Sequence, residues 1–192
     1  MSVAAVVLAA GTSRRLGRPK QNVILAGETL LERTVRVSRE AGLSPIIVVA
    51  RQGAKYPKIK ASHNAIIVIN READEGIASS IRCGVSEAAR HTVAGAVIIT
   101  CDQPALQPGH LSNLIEDPHR VTASAYDGSV GVPSYFPAAI FPSLLQLRGD
   151  TGARGLLKTA YAIRADELKL DIDTEHDLDI ARDLFESRQS HD

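Results

Sequence analysis

The chain has 192 residues, 44% hydrophobic and 23% charged, and its 22 basic and 22 acidic side chains cancel to a formal net charge of zero. That length and apolar fraction support one buried core and exclude a disordered chain. The neutral balance argues against nucleic acid as a partner, and no apolar run reaches the ~18 residues of a membrane span.

The predicted elements alternate. Residues 3–9, 45–50, 65–70 and 95–100 are short, β-branched, apolar runs that read as buried strands of a mainly parallel sheet. The first run is too short, and lacks the basic flank, for a secretory leader. Two cysteines, Cys83 and Cys101, have no metal-site spacing and form no disulfide framework, so reduced thiols in the cytoplasm are expected. Between the strands, 28–41 sets Leu31, Val35 and Ser38 on one side, and 77–89 sets Ile77, Ile81, Val85 and Ala88 on one face, as helices do. A shorter helix is expected over 110–115. In the second half, 121–125 and 130–136 read as strands flanking a Tyr-Asp-Gly-Ser turn, 136–147 has a helical pattern, and 149–159 is a loop leading into a short helix. Residues 168–172 are expected as a late strand. Thr174, with Asp177 three residues on, starts a final helix carrying Leu178, Ala181, Leu184 and Phe185. No repeat or linker interrupts the pattern, so one α/β domain is expected over 1–192.

The loop after the first strand carries Arg14, Arg15, Arg18 and Lys20, with no acid between Gly11 and Gly27. It leaves the carboxyl end of a strand, where ligands gather in open α/β sheets. It is not a Walker loop, because Gly11 and Gly17 enclose five residues and Arg18 follows. It is not the dinucleotide fingerprint, because Thr12-Ser13 occupies the place of its second glycine. Small residues at Ala9, Ala10 and Gly11 still allow backbone N–H groups close to an anion. Arg15 and Lys20 can neutralise phosphate oxygens, one as a fork and one as a point charge. A solvated basic turn is the alternative.

Triphosphate chemistry calls for a divalent cation with oxygen ligands. Asp102 lies just past a buried strand, at the same sheet edge as the basic loop. Asp171, Asp173 and Asp177 follow late in the chain, and alternation along a strand would place Asp171 and Asp173 on one face. A turn acid before Pro104, and a carboxylate flanking the last helix, are the plainer readings of Asp102 and Asp173.

The segment LAAGTSRRLGRPK (8–20) resembles the L-A-A-G-x-S-x-R-x-G-x-x-K loop of MobA-like nucleotidyltransferases, most closely the molybdenum cofactor cytidylyltransferases, at Leu8, Ala9, Ala10, Gly11, Ser13, Arg15, Gly17 and Lys20. Further segments resemble the same family in the same order: EGIASSIRCG (75–84), CDQP (101–104), GVPSYF (131–136), RGDTGAR (148–154) and DIDTEHDL (171–178). The resemblance implies a Rossmann-like three-layer α/β/α nucleotidyltransferase fold of GT-A-like type, with a mostly parallel mixed sheet. It implies transfer of a nucleoside monophosphate from a triphosphate to a phosphate-bearing acceptor, with release of pyrophosphate. Lys20 and Arg15 would be the catalytic contacts, and Leu8, Ala9, Ala10, Gly11, Ser13, Gly76 and Ser80 would bind the nucleotide. Asp102 and Asp173 would hold Mg2+, with Asp171 the next choice. Gly131, Pro133, Asp150 and Arg154 would meet the acceptor, though Arg154 can instead pair with Asp150. Ala10, where guanylyl-transferring relatives more often carry glycine, favours CTP and a molybdopterin acceptor, with a molybdoenzyme or chaperone as protein partner. Val132 departs from the family, many of whose members carry histidine before that proline, and opens the way to another phosphorylated small molecule. A glycosyltransferase with a related sheet would carry D-x-D where CDQ has one acid, and a non-catalytic nucleotide-binding module is the other alternative.

Overall fold

The computed structural model describes residues 1–57 and 64–189. Its strands are β1 (Ser2–Leu8), β2 (Ile24–Leu25), β3 (Glu28–Thr29), β4 (Ile46–Arg51), β5 (Ala65–Asn70), β6 (Val93–Thr100), β7 (Thr122–Tyr126), β8 (Ser129–Pro137) and β9 (Tyr161–Arg164). Seven of them form one sheet in the order β5-β4-β1-β6-β8-β7-β9, and β2 and β3 make a separate small hairpin. The β5-β4-β1-β6 half is parallel, β8 runs antiparallel to β6 and β7, and β9 is parallel to β7. The sheet is therefore mixed and mostly parallel, as expected.

Alternation along β1 builds the layers. Ala4, Val6 and Leu8 face a core shared with α2 (Ile77–Ala88), α4 (Phe141–Leu145) and α5 (Arg154–Leu157). Ala5, Val7 and Ala9 face the opposite core, beneath α1 (Leu30–Glu40) and α3 (Pro108–Leu114). Helix α1 begins with a capping box. Thr29 Oγ accepts from Glu32 N at 3.2 Å, and the Glu32 carboxylate accepts from Thr29 N at 3.1 Å. Helix α3 starts earlier than expected because Pro108, which has no N–H to lose, occupies its first turn. A third, smaller core joins Leu16, Val23, Leu25 and Leu30 to Ile172, Leu178 and Ala181, the last two from α6 (Glu175–Gln189). It fastens the basic loop near the start of the chain to the acidic segment near its end.

Gly84 is what lets α2 lie so close on the sheet. A Cβ there would stand 2.3 Å from Val6 Cγ1 and 2.9 Å from Val49 Cγ2, both within a packed core. Gly84→Ala is therefore expected to lower folding stability by about 1–3 kcal/mol through overpacking, despite alanine's better helix propensity. Urea denaturation measures it, and an unchanged midpoint would show that the helix can move outward at no cost.

Two expected elements differ. The late strand over 168–172 is instead a 3-10 turn, Asp166–Lys169, followed by an extended segment outside the sheet. The edge strand is β9, whose mostly exposed side chains give little apolar signal. The helical pattern over 136–147 is broken because Phe136 and Pro137 finish β8, and α4 begins only at Phe141 after a 3-10 turn.

Candidate active site

Beyond β1 the chain doubles back. Ser13 takes a left-handed backbone conformation (φ 50°) and accepts a hydrogen bond from Gly17 N at 3.2 Å through its carbonyl. Its hydroxyl accepts from Lys20 N at 3.0 Å. With Leu16 buried in the third core, the loop delivers Lys20 to the carboxyl edge of the sheet. There Lys20 Nζ donates to Asp102 Oδ2 at 2.9 Å and to Asp173 Oδ1 at 2.7 Å. Arg15 donates to the other Asp173 oxygen, and Arg18 pairs with Glu175 at 2.8 Å. The Arg15 side chain is 72% exposed, so water screens its ion pair and the pair adds little stability. Lys20 is only 15% exposed. Its burial disfavours the ammonium, but the charges and hydrogen bonds of Asp102 and Asp173 outweigh that and hold it above the usual lysine range.

Backbone bonds set the two acids. Ile172 N donates to the Asp102 carbonyl at 2.9 Å, bringing the late segment to the end of β6. The Asp177 carboxylate accepts from Asp173 N at 3.1 Å and from Thr174 N at 2.8 Å, while Thr174 Oγ1 accepts from Asp177 N at 3.3 Å. Asp177 is thus the predicted helix-start residue. Of the late acids, Asp173 meets Lys20, whereas the Asp171 carboxyl lies deeper. Burial, and then the negative charges of Asp102 and Asp173, push Asp171 up to about 7, and its Oδ1 has no hydrogen-bond partner among the described residues.

A cavity of about 580 Å³ opens over this centre. Leu8, Ala9, Ala10, Gly11, Ser13, Arg15, Lys20, Gly76, Ser80, Asp102 and Asp173 all line it, as does Asp150. Gly76 is required where it stands. Its φ is +121°, and a Cβ would lie 2.7 Å from the Gly149 carbonyl oxygen. The loop containing Asp150 packs onto the start of α2, with Asp150 Oδ1 accepting from Ile77 N at 3.3 Å and Gly149 O from Ala78 N at 3.1 Å. Glu75 accepts from Gly149 N at 3.1 Å and from Arg82. These contacts, the Arg82 hydrogen bond first, hold its carboxyl down at about 2. Ser80 Oγ accepts from Asn70 Nδ2 at 3.0 Å, so its hydroxyl is fixed from below.

Gly131 and Arg154 line a second, adjoining cavity of about 490 Å³. Arg154 forms no ion pair with Asp150 among the described residues, because Asp150 faces the α2 start. Pro133 lines neither cavity. Val132 and Ser134 face the second one, so strand alternation turns the Pro133 ring to the other side of the sheet, where Ser124 Oγ donates to its carbonyl at 2.8 Å. Sequence reasoning passed over Arg51, which ends β4 at the same sheet edge and lines the first cavity while pairing with Asp74 at 2.7 Å. The strand-end position was the available signal. It also passed over Tyr126, whose hydroxyl donates to the Val132 carbonyl at 3.0 Å and holds the wall of the second cavity.

Residues 5–167 match the MobA-like NTP transferase domain. The chain belongs to that family. Among curated relatives of this MobA-like protein, the purine catabolism protein PucB of Bacillus subtilis is 32% identical over 92% of this chain and 94% of its own length. A probable molybdenum cofactor guanylyltransferase of Opitutus terrae is 32% identical over 59% of this chain and 54% of its own. Among solved structures, the nucleotidyl transferase Mth528 of Methanothermobacter superposes with a TM-score of 0.82 at 25% identity, covering 97% of this chain and 99% of its own. Rv0371c of Mycobacterium tuberculosis, solved in complex with manganese, superposes with a TM-score of 0.72 at 26% identity, covering 95% and 98%. The α/β architecture is thus that of MobA-like nucleotidyltransferases.

Proposed function

We propose that this nucleotidyltransferase moves a nucleoside monophosphate, with CTP the favoured donor, onto the phosphate of a molybdopterin-type acceptor and releases pyrophosphate. One observation carries the reading. Lys20 Nζ lies within hydrogen-bond distance of both Asp102 and Asp173, residues 82 and 153 positions away, at the floor of a cavity walled by the basic loop. Nothing in folding requires three charged groups from distant segments to meet at a cavity floor, and burying them is costly. Anion binding and transfer give them a use.

The second cavity adjoins the first and supports an acceptor placed beside the nucleotide. An oxygen of the acceptor phosphate attacks the α-phosphorus, the bond to the β-phosphate oxygen breaks, and pyrophosphate leaves with that electron pair. Backbone N–H groups of residues 10–13 cradle the triphosphate, while Lys20 and Arg15 neutralise the charge that gathers on the leaving group. No covalent nucleophile is needed, because alignment and charge neutralisation supply the acceleration. Ala10, buried in the cavity wall, narrows the space beside the base and favours a pyrimidine.

The residues present fit a divalent cation. Among the described residues no set of three or more His, Cys, Asp or Glu converges as a closed metal cage. Two carboxylates facing one cationic centre are what a magnesium-type ion needs when substrate phosphates complete its coordination. Asp102 and Asp173 would hold it, and when bound it supplies positive charge at the α-phosphate.

Mixing protein, acceptor and each of four triphosphates, and measuring pyrophosphate, tests the reading. Release is expected with CTP ahead of the others. EDTA is expected to stop it, and Mg2+ or Mn2+ to restore it. Release that continues undiminished in EDTA removes the metal from the proposal, and release with no triphosphate removes the transferase reading.

A further inference from the structure

Val132 and Pro133 stand outside the sheet ladder. β8 pairs with β6 only from Ser134 to Pro137, and its pairing with β7 jumps from Gly131, opposite Ser124, to Ser134, opposite Ala123. The two residues skipped form a bulge, from which Val132 faces the second cavity. Side chains replace the missing ladder bonds. Ser124 Oγ donates to the Pro133 carbonyl at 2.8 Å, and the Tyr126 hydroxyl donates to the Val132 carbonyl at 3.0 Å. The fit is close, since a Cβ at Gly131 would lie 2.9 Å from the Tyr126 hydroxyl oxygen.

The phenol is itself held. Gln103 Nε2 donates to the Tyr126 hydroxyl at 3.1 Å and to the Leu168 carbonyl at 3.1 Å, which uses both of its protons. With one bond accepted and one donated, the hydroxyl has a fixed direction. Gln103 is only 4% exposed and lines neither cavity, so it acts on a bound ligand only through other groups. It follows Asp102 directly in the chain. Its amide therefore ties the bulged wall of the second cavity to the segment that carries Asp102 into the first. The Leu168 turn depends on Gln103 less, because Leu168 is fully buried and its N–H donates to the Ala165 carbonyl at 2.9 Å.

We propose that Gln103 is a positioning residue for the transfer step: acting through Tyr126, it sets how far the bulged wall stands from Asp102. The wall in turn aligns a phosphate held in the second cavity with the α-phosphorus of a nucleotide in the first. The inference rests on the placement of donor and acceptor given above. Alignment is steep in distance, and a displacement of about 1 Å costs on the order of 100-fold in rate. A bulge without ladder bonds is the part of the wall freest to shift by that much. The amide and the phenol are what stop it.

Pyrophosphate release with Mg2+, CTP and molybdopterin, and CTP binding by calorimetry, are measured on Tyr126→Phe, Gln103→Leu and the double variant. Tyr126→Phe keeps the ring and frees the Val132 carbonyl. It is expected to lower kcat at least ~10-fold while the Kd for CTP stays within about 2-fold. Gln103→Leu is expected to do the same, and the double variant to fall no further than the worse single, because the two groups act along one path. A kcat for Tyr126→Phe within about 2-fold of the unsubstituted protein would overturn the proposal, even if the KM for molybdopterin rose. CTP affinity that falls in step with kcat would overturn it too, by making the pair a general support of the fold. So would losses that multiply in the double variant, since Gln103 would then act apart from Tyr126. If Gln103→Leu does not fold, kcat and CTP affinity of Tyr126→Phe decide alone. The unsubstituted protein keeps the two readings apart. No release with any triphosphate overturns both, whereas release that Tyr126→Phe leaves unchanged overturns the role of Gln103 alone.

Discussion

Lys20→Ala is expected to lower turnover by at least ~100-fold, the scale of losing one preorganised electrostatic contact at a site of developing charge. The geometry adds a second consequence. Lys20 is the cation shared by Asp102 and Asp173, so its removal leaves two carboxylates facing each other with Arg15 alone, and Arg15 reaches only Asp173. Their mutual repulsion is relieved by any divalent ion that lies between them. Lys20→Ala should therefore bind Mn2+ more tightly than the unsubstituted protein in the absence of nucleotide, even as it loses activity. Pyrophosphate release and titration with Mn2+ followed by electron paramagnetic resonance read the two effects separately. Near-normal turnover would take Lys20 out of the mechanism. Weaker Mn2+ binding would mean that the ammonium organises the two carboxylates instead of competing for them.

Asp102→Asn is expected to cost turnover as much, at least ~100-fold, with the Mg2+ concentration for half-maximal rate raised at least ~10-fold. The fold should survive. The link from Asp102 to the late segment runs through its backbone carbonyl, which accepts from Ile172 N whatever the side chain. The amide is also the size of the carboxyl it replaces. Asp173 continues to hold Lys20 at 2.7 Å, so the lysine is not left unpaired. Circular dichroism and the melting temperature should match those of the unsubstituted protein, which separates a lost ligand from a lost fold. Full activity at an unchanged Mg2+ requirement in a folded variant would refute the assignment of Asp102 to the metal.

Much of this architecture was legible along the chain. The buried strands β1, β4 and β6 announce themselves as short apolar runs, because a strand covered on both faces has no polar side to show; β5, expected to be buried on the same pattern, is instead the edge strand, with Ile67 and Ile69 exposed. Helix α2 shows its period for the opposite reason, having one wet face. The elements missed lie where those signals fade. Strand β9 is mostly exposed, so nothing in Tyr161–Arg164 distinguishes it from a loop. The segment around Leu168 is apolar because it is buried, yet it is buried as a 3-10 turn, and periodicity cannot tell the two apart over five residues. Pro133 matched the family motif but turns away from the cavity, since the motif preserves a strand and not only a contact.

By itself the sequence determined the order of strands and helices in the parallel half of the main sheet, the run of cations after β1 and the acids at positions 102, 171 and 173, all of which are local and carried by residue type and spacing. Only the tertiary structure decided which acid meets Lys20, that Asp150 caps α2, and that the Ser134 hydroxyl has no hydrogen-bond partner among the described residues. The first of these depends on groups 82 and 153 positions apart arriving at one sheet edge. Their arrival is fixed by the small core joining Leu16 to Ile172 and Leu178 and by the hydrogen bond from Ile172 to Asp102. Close packing between distant segments leaves no periodic trace in either one, so it becomes visible only when the chain is folded.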